Sequence, residues 1–160
     1  MENVEATMFY GCSQCTLDAQ FHLKLPEWAV SVMKQQRRND VVFFGMPEGC
    51  LAIFPIARWR SFRNAMRKND EAILNDSASR MQPRLLGSMS RVGEFSSQGK
   101  VHLPAALCQA LGLGGQVMVV GAEWWLELWS PAAWERQLVA IQRQFTQASQ
   151  PCFPCDAPRL

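Results

Sequence analysis

The sequence predicts an α+β fold in which one small ββαββ unit is written twice, with helices linking the copies and closing the chain. Three observations carry this. Asp18-Ala19-Gln20-Phe21-His22-Leu23-Lys24-Leu25-Pro26 recurs 78 residues later as Ser96-Ser97-Gln98-Gly99-Lys100-Val101-His102-Leu103-Pro104, with Gln, Leu and Pro identical. Both copies alternate apolar and polar residues with the period of a strand. Both are followed by further matching blocks in the same order: Val41-Val42-Phe43-Phe44-Gly45 with Val117-Met118-Val119-Val120-Gly121, then Leu51-Ala52-Ile53-Phe54 with Leu126-Glu127-Leu128-Trp129. Each copy closes with a tryptophan five residues on, Trp59 and Trp134.

The elements follow in order. A first strand leads to a polar turn. A second strand then sets Phe21, Leu23 and Leu25 on one face, His22 and Lys24 on the other; in the second copy Val101 and Leu103 oppose Lys100 and His102. Pro26 and Pro104 end the strand and open short helices, because proline suits a first helical turn. These helices are expected over Glu27–Gln36 and Ala105–Leu111, with Gly112 as a stop. Two apolar strands follow in each copy, split by Pro47-Glu48-Gly49 and by Ala122-Glu123. Trp59, Phe62 and Met66 keep helical spacing between the copies. Ser130 is placed to cap, and Pro131 to begin, a last helix carrying Trp134, Leu138, Ile141 and Phe145 on one face. The expected organisation is a first unit over 8–60, a helical linker over 61–88, a second unit with the C-terminal helix over 89–147 and a flexible tail over 148–160. A unit this small buries little core alone, so the halves are expected to pack on each other and on neighbouring subunits.

Composition sets outer limits. Of 160 residues, 48% are apolar and 19% charged, which argues for a folded chain. No apolar run approaches the roughly 20 residues of a membrane span. Met1–Glu5 has neither a basic nor an apolar segment of a secretory signal, so a cytoplasmic location is expected. The net charge of +2 is unevenly spread: residues 34–91 hold 11 Lys/Arg against 5 Asp/Glu. That asymmetry fits a polyanionic partner and equally a solvated helix face formed by Arg58, Arg60, Arg63, Arg67 and Lys68.

Six cysteines include two CxxC pairs, Cys12/Cys15 and Cys152/Cys155. Four thiolates could hold a zinc if the ends met. Residues i and i+3 of a strand point to opposite faces, however, and neither pair has the turn residues of a zinc knuckle; ordinary reduced thiols are the preferred reading, and no metal or other cofactor is expected. No phosphate loop, nucleophile elbow or paired carboxylates appear, so an enzyme is not expected. The two histidines are expected at equivalent strand edges, one residue apart in register. The six tryptophans read as filling of the core and of subunit contacts rather than as base-stacking platforms, with Trp124-Trp125 as a candidate exposed contact.

The ordered blocks resemble the MraZ family of bacterial regulators. The similarity runs from Met8-Phe9-Tyr10-Gly11 to about Leu138, through Thr16-Leu17-Asp18, Cys50-Leu51-Ala52-Ile53-Phe54-Pro55, Arg84-Leu85-Leu86-Gly87-Ser88 and the repeated segments above. The resemblance implies two tandem AbrB-like swapped-hairpin units packed as a pseudo-symmetric pair. It also implies a DNA-binding repressor of its own division and cell-wall operon, working as a homo-oligomeric ring on short repeated elements of double-stranded DNA and associated with the nucleoid. The family's contact motif is Asp-x-x-x-Arg, usually Asp-x-Lys-Gly-Arg, once per unit. Here Asp18 is kept, with Gln20 for Lys, Phe21 for Gly and His22 for Arg. The second copy keeps Gly99 and has Lys100 for Arg, with Ser96 for Asp.

These departures have physical weight. Arginine forks onto guanine or phosphate, whereas lysine is a point charge and neutral histidine offers little to phosphate. Phe21 replaces a permissive residue, so the first turn is expected to differ in backbone from the second. Asp18 is expected to hold its turn through the backbone. The candidate DNA-contacting residues are Asp18, Gln20, His22, Lys24, Gln98, Lys100 and His102; the alternative for the same strands is an ordinary polar outer face. A ring joins several weak units by avidity. The degraded first motif also admits a second function, a ring-forming scaffold that contacts protein partners and has lost specific DNA binding.

Overall fold

The computed structural model describes residues 7–66 and 75–147. The first half runs β1 (Cys12–Leu17), β2 (His22–Lys24), α1 (Glu27–Lys34), β3 (Asp40–Gly45), β4 (Leu51–Pro55) and α2 (Ile56–Met66). A 3-10 turn at Ala78–Arg80 and α3 (Met81–Ser88) lead into the second half. That half runs β5 (Ser90–Glu94), β6 (Lys100–His102), α4 (Ala105–Ala110), β7 (Gly115–Gly121), β8 (Leu126–Trp129) and α5 (Pro131–Gln147). The 148–160 tail, Cys152/Cys155, Arg67 and Lys68 lie outside the described residues.

All eight strands join one antiparallel sheet in the order β5-β3-β4-β8-β7-β1-β2-β6. A bridge between Phe95 and Val101 brings its two edges together, so the sheet is nearly a barrel. The halves interleave. β1 pairs along its length with β7, from Cys12↔Val120 to Leu17↔Gly115, and β5 pairs with β3, from Asp40↔Glu94 to Phe44↔Ser90. β2 pairs with β6 and β4 with β8. Translating Cys12↔Val120 by the repeat gives Ser90↔Phe44, itself an observed pair, so the exchange is reciprocal. This meets the burial problem of a small unit: Leu17, Leu23, Leu25 and Met33 of the first half share one apolar cluster with Val101, Leu103, Leu107, Val117 and Leu128 of the second.

A second cluster lies outside the sheet. Val42, Phe44, Ala52 and Phe54 turn away from the barrel interior and are covered by Trp59 and Phe62 of α2, Leu86 of α3 and Trp125. Phe54 stacks on Trp125 at 5.1 Å between centroids and meets Trp59 edge-on at 5.2 Å. β4 is therefore buried throughout, which explains its unbroken apolar run. Trp124 is exposed and lies under Arg58, whose guanidinium carbon is 3.9 Å from the ring centroid.

Most helix boundaries obey the punctuation of the chain. Gly112 adopts φ +65, with its N–H donating to the Gln109 carbonyl and the Leu113 N–H to the Cys108 carbonyl, which ends α4 one residue before the expected Leu111. Ser130 caps α5 by accepting the Ala133 N–H on its hydroxyl at 3.3 Å. α1 is shorter than the expected Glu27–Gln36: the N–H groups of Gln35 and Gln36 turn back onto Val32 and Met33, tightening the end.

Candidate nucleic-acid interface

The β1–β2 and β5–β6 connections are the same turn made from different residues. In the first, Asp18 N–H donates to the His22 carbonyl at 3.1 Å and Phe21 N–H to the Asp18 carbonyl at 3.0 Å. In the second, Ser96 N–H donates to Lys100 at 2.9 Å and Gly99 N–H to Ser96 at 3.0 Å. Side chains reinforce both. The Asp18 carboxylate accepts the N–H of Gln20 at 2.9 Å and of His22 at 2.8 Å, and the Ser96 hydroxyl accepts the Lys100 N–H at 3.0 Å. The His22 N–H bond above all, with help from Gln20 and the nearby imidazole, outweighs the opposing desolvation and holds the Asp18 carboxyl below the usual aspartate range.

The expectation that Phe21 changes the backbone is corrected by these bonds. Phe21 sits at φ +64 and Gly99 at φ +80, so the phenylalanine adopts the conformation glycine holds in the other copy. Phe21 accordingly belongs to the turn and not to the alternating strand, although its ring still packs against the central core. Across the pair of turns, Leu103 N–H donates to the Phe21 carbonyl and Leu25 N–H to the Gly99 carbonyl, locking each turn to the opposite strand.

The turns deliver β2 and β6 side by side. Leu23 and Val101 are opposite each other and buried. The intervening positions point out: His22 lies opposite His102, and Lys24 opposite Lys100. The expected one-residue offset between the histidines is thus corrected. Antiparallel pairing inverts the order of the second copy, so residues that are not equivalent in the repeat become direct neighbours. Their rings stack, with centroids 4.5 Å apart and planes inclined by 21°. Gln20 and Gln98 are exposed at the two turn tips, and Asp18 Oδ2 lies 3.5 Å from His22 Nδ1. The seven candidate residues therefore gather on one ribbon, with four basic side chains at its centre.

One neighbour was not legible in the sequence. A groove of about 650 Å3 between β5 and β6 is lined by His22, Lys100 and His102 together with Arg91 and Glu94. Arg91 carries no motif; β5 places it there, with its Nη1 donating to the Ser88 and Ser90 carbonyls.

The chemistry of the remaining candidates is quiet. Cys12 and Cys15 are free, half-buried thiols pushed above the usual thiol range by burial, and burial pushes Cys108 up to about 11. Among the described residues no group of three or more His, Cys, Asp or Glu could hold a metal ion, and no helix is long and apolar enough to cross a membrane.

Similar proteins carry this chain's pattern over both halves. It is 32% identical over 130 residues to a protein named transcriptional regulator MraZ from Verminephrobacter eiseniae, covering 81% of this chain and 87% of that one. A protein of the same name from Cupriavidus pinatubonensis is 31% identical over 136 residues, 83% and 92% of the two chains. Another, from Acidovorax sp. strain JS42, is 30% identical over 138 residues, 86% and 93%. The chain belongs to the MraZ family. A family model described as "MraZ protein, putative antitoxin-like" matches residues 94–153. The MraZ model thus falls on the half that keeps Gly99 and has Lys100. MraZ proteins are transcriptional regulators, which is not an enzyme class.

Proposed function

We propose that this chain is a DNA-binding repressor that acts on short repeated elements near its own division and cell-wall operon, through the β2–β6 ribbon. The observation that supports this best is the exposed cluster of His22, Lys24, Lys100 and His102, in which the residues directly opposite each other are both basic. Like charges placed opposite each other destabilise a strand pair. Such an arrangement makes sense where a polyanion neutralises it. In this reading Lys24 and Lys100 meet phosphates, Gln20 and Gln98 reach base edges from the turn tips, and Asp18 positions rather than contacts. The proposed architecture is a tandem of AbrB-like swapped-hairpin units, over 8–60 and 89–147 with a linker at 61–88; the reciprocal β1–β7 and β5–β3 pairing supports it.

The same reading has the chain form a homo-oligomeric ring associated with the nucleoid in the cytoplasm. Exposed apolar residues support assembly: Val92 is 74% accessible, and α5 buries none of its residues although Trp134, Leu138, Ile141 and Phe145 share a face. Sedimentation is expected to give an oligomer at micromolar concentration, and a stable monomer would contradict the ring. Mobility shift with the DNA upstream of its own operon tests the function. Binding is expected to weaken steeply with salt, and Lys24→Ala or Lys100→Ala each to lower the salt slope by about 1. Unchanged affinity in both variants removes the ribbon as the contact surface; absence of any salt-sensitive binding favours the scaffold that contacts proteins instead.

A further inference from the structure

Resting on that reading, we infer that the stacked His22–His102 pair is a phosphate clasp that takes up a proton when DNA binds. The two imidazoles face each other across β2 and β6 with centroids 4.5 Å apart, exposed, at one end of the strand pair, with Lys24 opposite Lys100 at the other. Their charged surroundings come from every side. Lys24 lies on the same strand as His22, Lys100 on β6, and Arg91 and Glu94 line the adjoining groove from β5. Asp18 Oδ2 approaches His22 Nδ1 to 3.5 Å, while its Oδ1 accepts the N–H groups of Gln20 and His22.

Histidine is the side chain whose ordinary titration spans about pH 5–8. A phosphodiester laid against the pair favours the imidazolium, because an anion stabilises the charged ring and a protonated ring offers both of its N–H groups. Binding then draws a proton from solvent. By linkage, a complex that holds one more proton than its free components tightens by up to about tenfold for each unit by which pH falls. Arginine at these positions would bind phosphate with no such dependence, since it stays charged throughout.

The test follows the affinity of the full chain for a fluorescent duplex of its own upstream DNA between pH 6 and 8 at constant ionic strength. Proton uptake is read by calorimetry in buffers of different ionisation heat. The wild-type chain is expected to bind at least several-fold tighter per unit fall in pH, with net uptake of about one proton. His22→Gln and His102→Gln are expected to flatten the profile while leaving salt-sensitive binding through the lysines. His22→Arg is expected to bind more tightly than wild type at pH 8, with a shallower profile. Salt-sensitive binding with a flat wild-type profile overturns the clasp and leaves the DNA-binding reading standing. A pH dependence that survives the His22→Gln/His102→Gln double variant also overturns it. No binding at any pH or salt concentration overturns both.

Discussion

At residues 18–22 a carboxylate accepts two backbone N–H groups around a phenylalanine held at φ +64; at residues 96–100 a hydroxyl accepts one around a glycine at φ +80. The backbone bonds of the two turns correspond one for one. What differs is how each sequence meets the same demand. Gly99 adopts the left-handed conformation freely and is also the residue that fits, because a Cβ there would approach Val30 Cγ2 to 2.8 Å. Phe21 holds a conformation that costs a non-glycine residue on the order of 1–3 kcal/mol, so its surroundings over-determine it: Asp18 from within the turn, Leu103 from the opposite strand and the core beside its ring. The shape of the turn is a property of the paired assembly, not of glycine.

The outer faces of the halves diverge in the same way. Trp59 closes the first half and is buried among Phe44, Phe54 and Phe62. Trp134 closes the second and meets Trp129 at 5.9 Å, but it remains partly exposed and its indole N–H is buried without a partner among the described residues. Trp59→Ala is therefore expected to have the largest effect, costing about 3–5 kcal/mol in denaturant unfolding. Trp134→Ala is expected to cost less than half as much. Equal losses would mean that the outer face of the second half is as well packed as that of the first.

Gly99→Ala presses directly on the turn comparison. The added Cβ meets Val30 and the left-handed backbone penalty applies, so a loss of about 2–4 kcal/mol is expected by chemical denaturation. The double variant with Val30→Ala should recover part of it. Full recovery would show that space, and not backbone conformation, makes glycine necessary.

These contrasts also define what the sequence revealed. The Pro-led helices, the Gly112 stop and the Ser130 cap are local signals, and each led to the observed element within a residue or two. Phe21 reads as strand from its local pattern, whereas its N–H bond to the Asp18 carbonyl and its φ of +64 place it in the turn. The stacking of His22 on His102 was not legible, because strand pairing between distant segments is set by the whole sheet. Arg91 reached the ribbon for the same reason, with nothing in its neighbours to mark it. Trp59 and Trp134 occupy matching places in the repeat, yet Trp59 is packed in a cluster with Phe44, Phe54, Phe62, Leu86 and Trp125, whereas Trp134 meets Trp129.

Acid sharpens the contrast between the turns. Asp18 is held below the usual carboxylate range, so its contribution is present above about pH 4, where the unfolded aspartate is ionised, and is lost as pH falls through the lower native value. Ser96 does not titrate. Wild type and Asp18→Ala should thus differ in stability at pH 7 and converge towards pH 2, whereas the effect of Ser96→Ala should stay level across that range. Convergence of neither pair would mean that the Asp18 bonds contribute nothing to the folded turn.

The smallest expected effect is the most informative about Phe21. Phe21→Gly relieves a backbone penalty of about 1 kcal/mol or more and removes a half-buried ring whose packing contributes a similar amount, so the net change should lie within about 1 kcal/mol of zero. The two terms separate in the Asp18→Ala background. With the carboxylate gone, the turn rests more heavily on its own conformational preference, and glycine should then become the stabilising residue. If Phe21→Gly is instead strongly destabilising in both backgrounds, the ring is chiefly a core residue and the left-handed turn is the minor consequence of seating it. If the glycine variant is stabilising even with Asp18 present, the first turn carries strain that Asp18 does not offset.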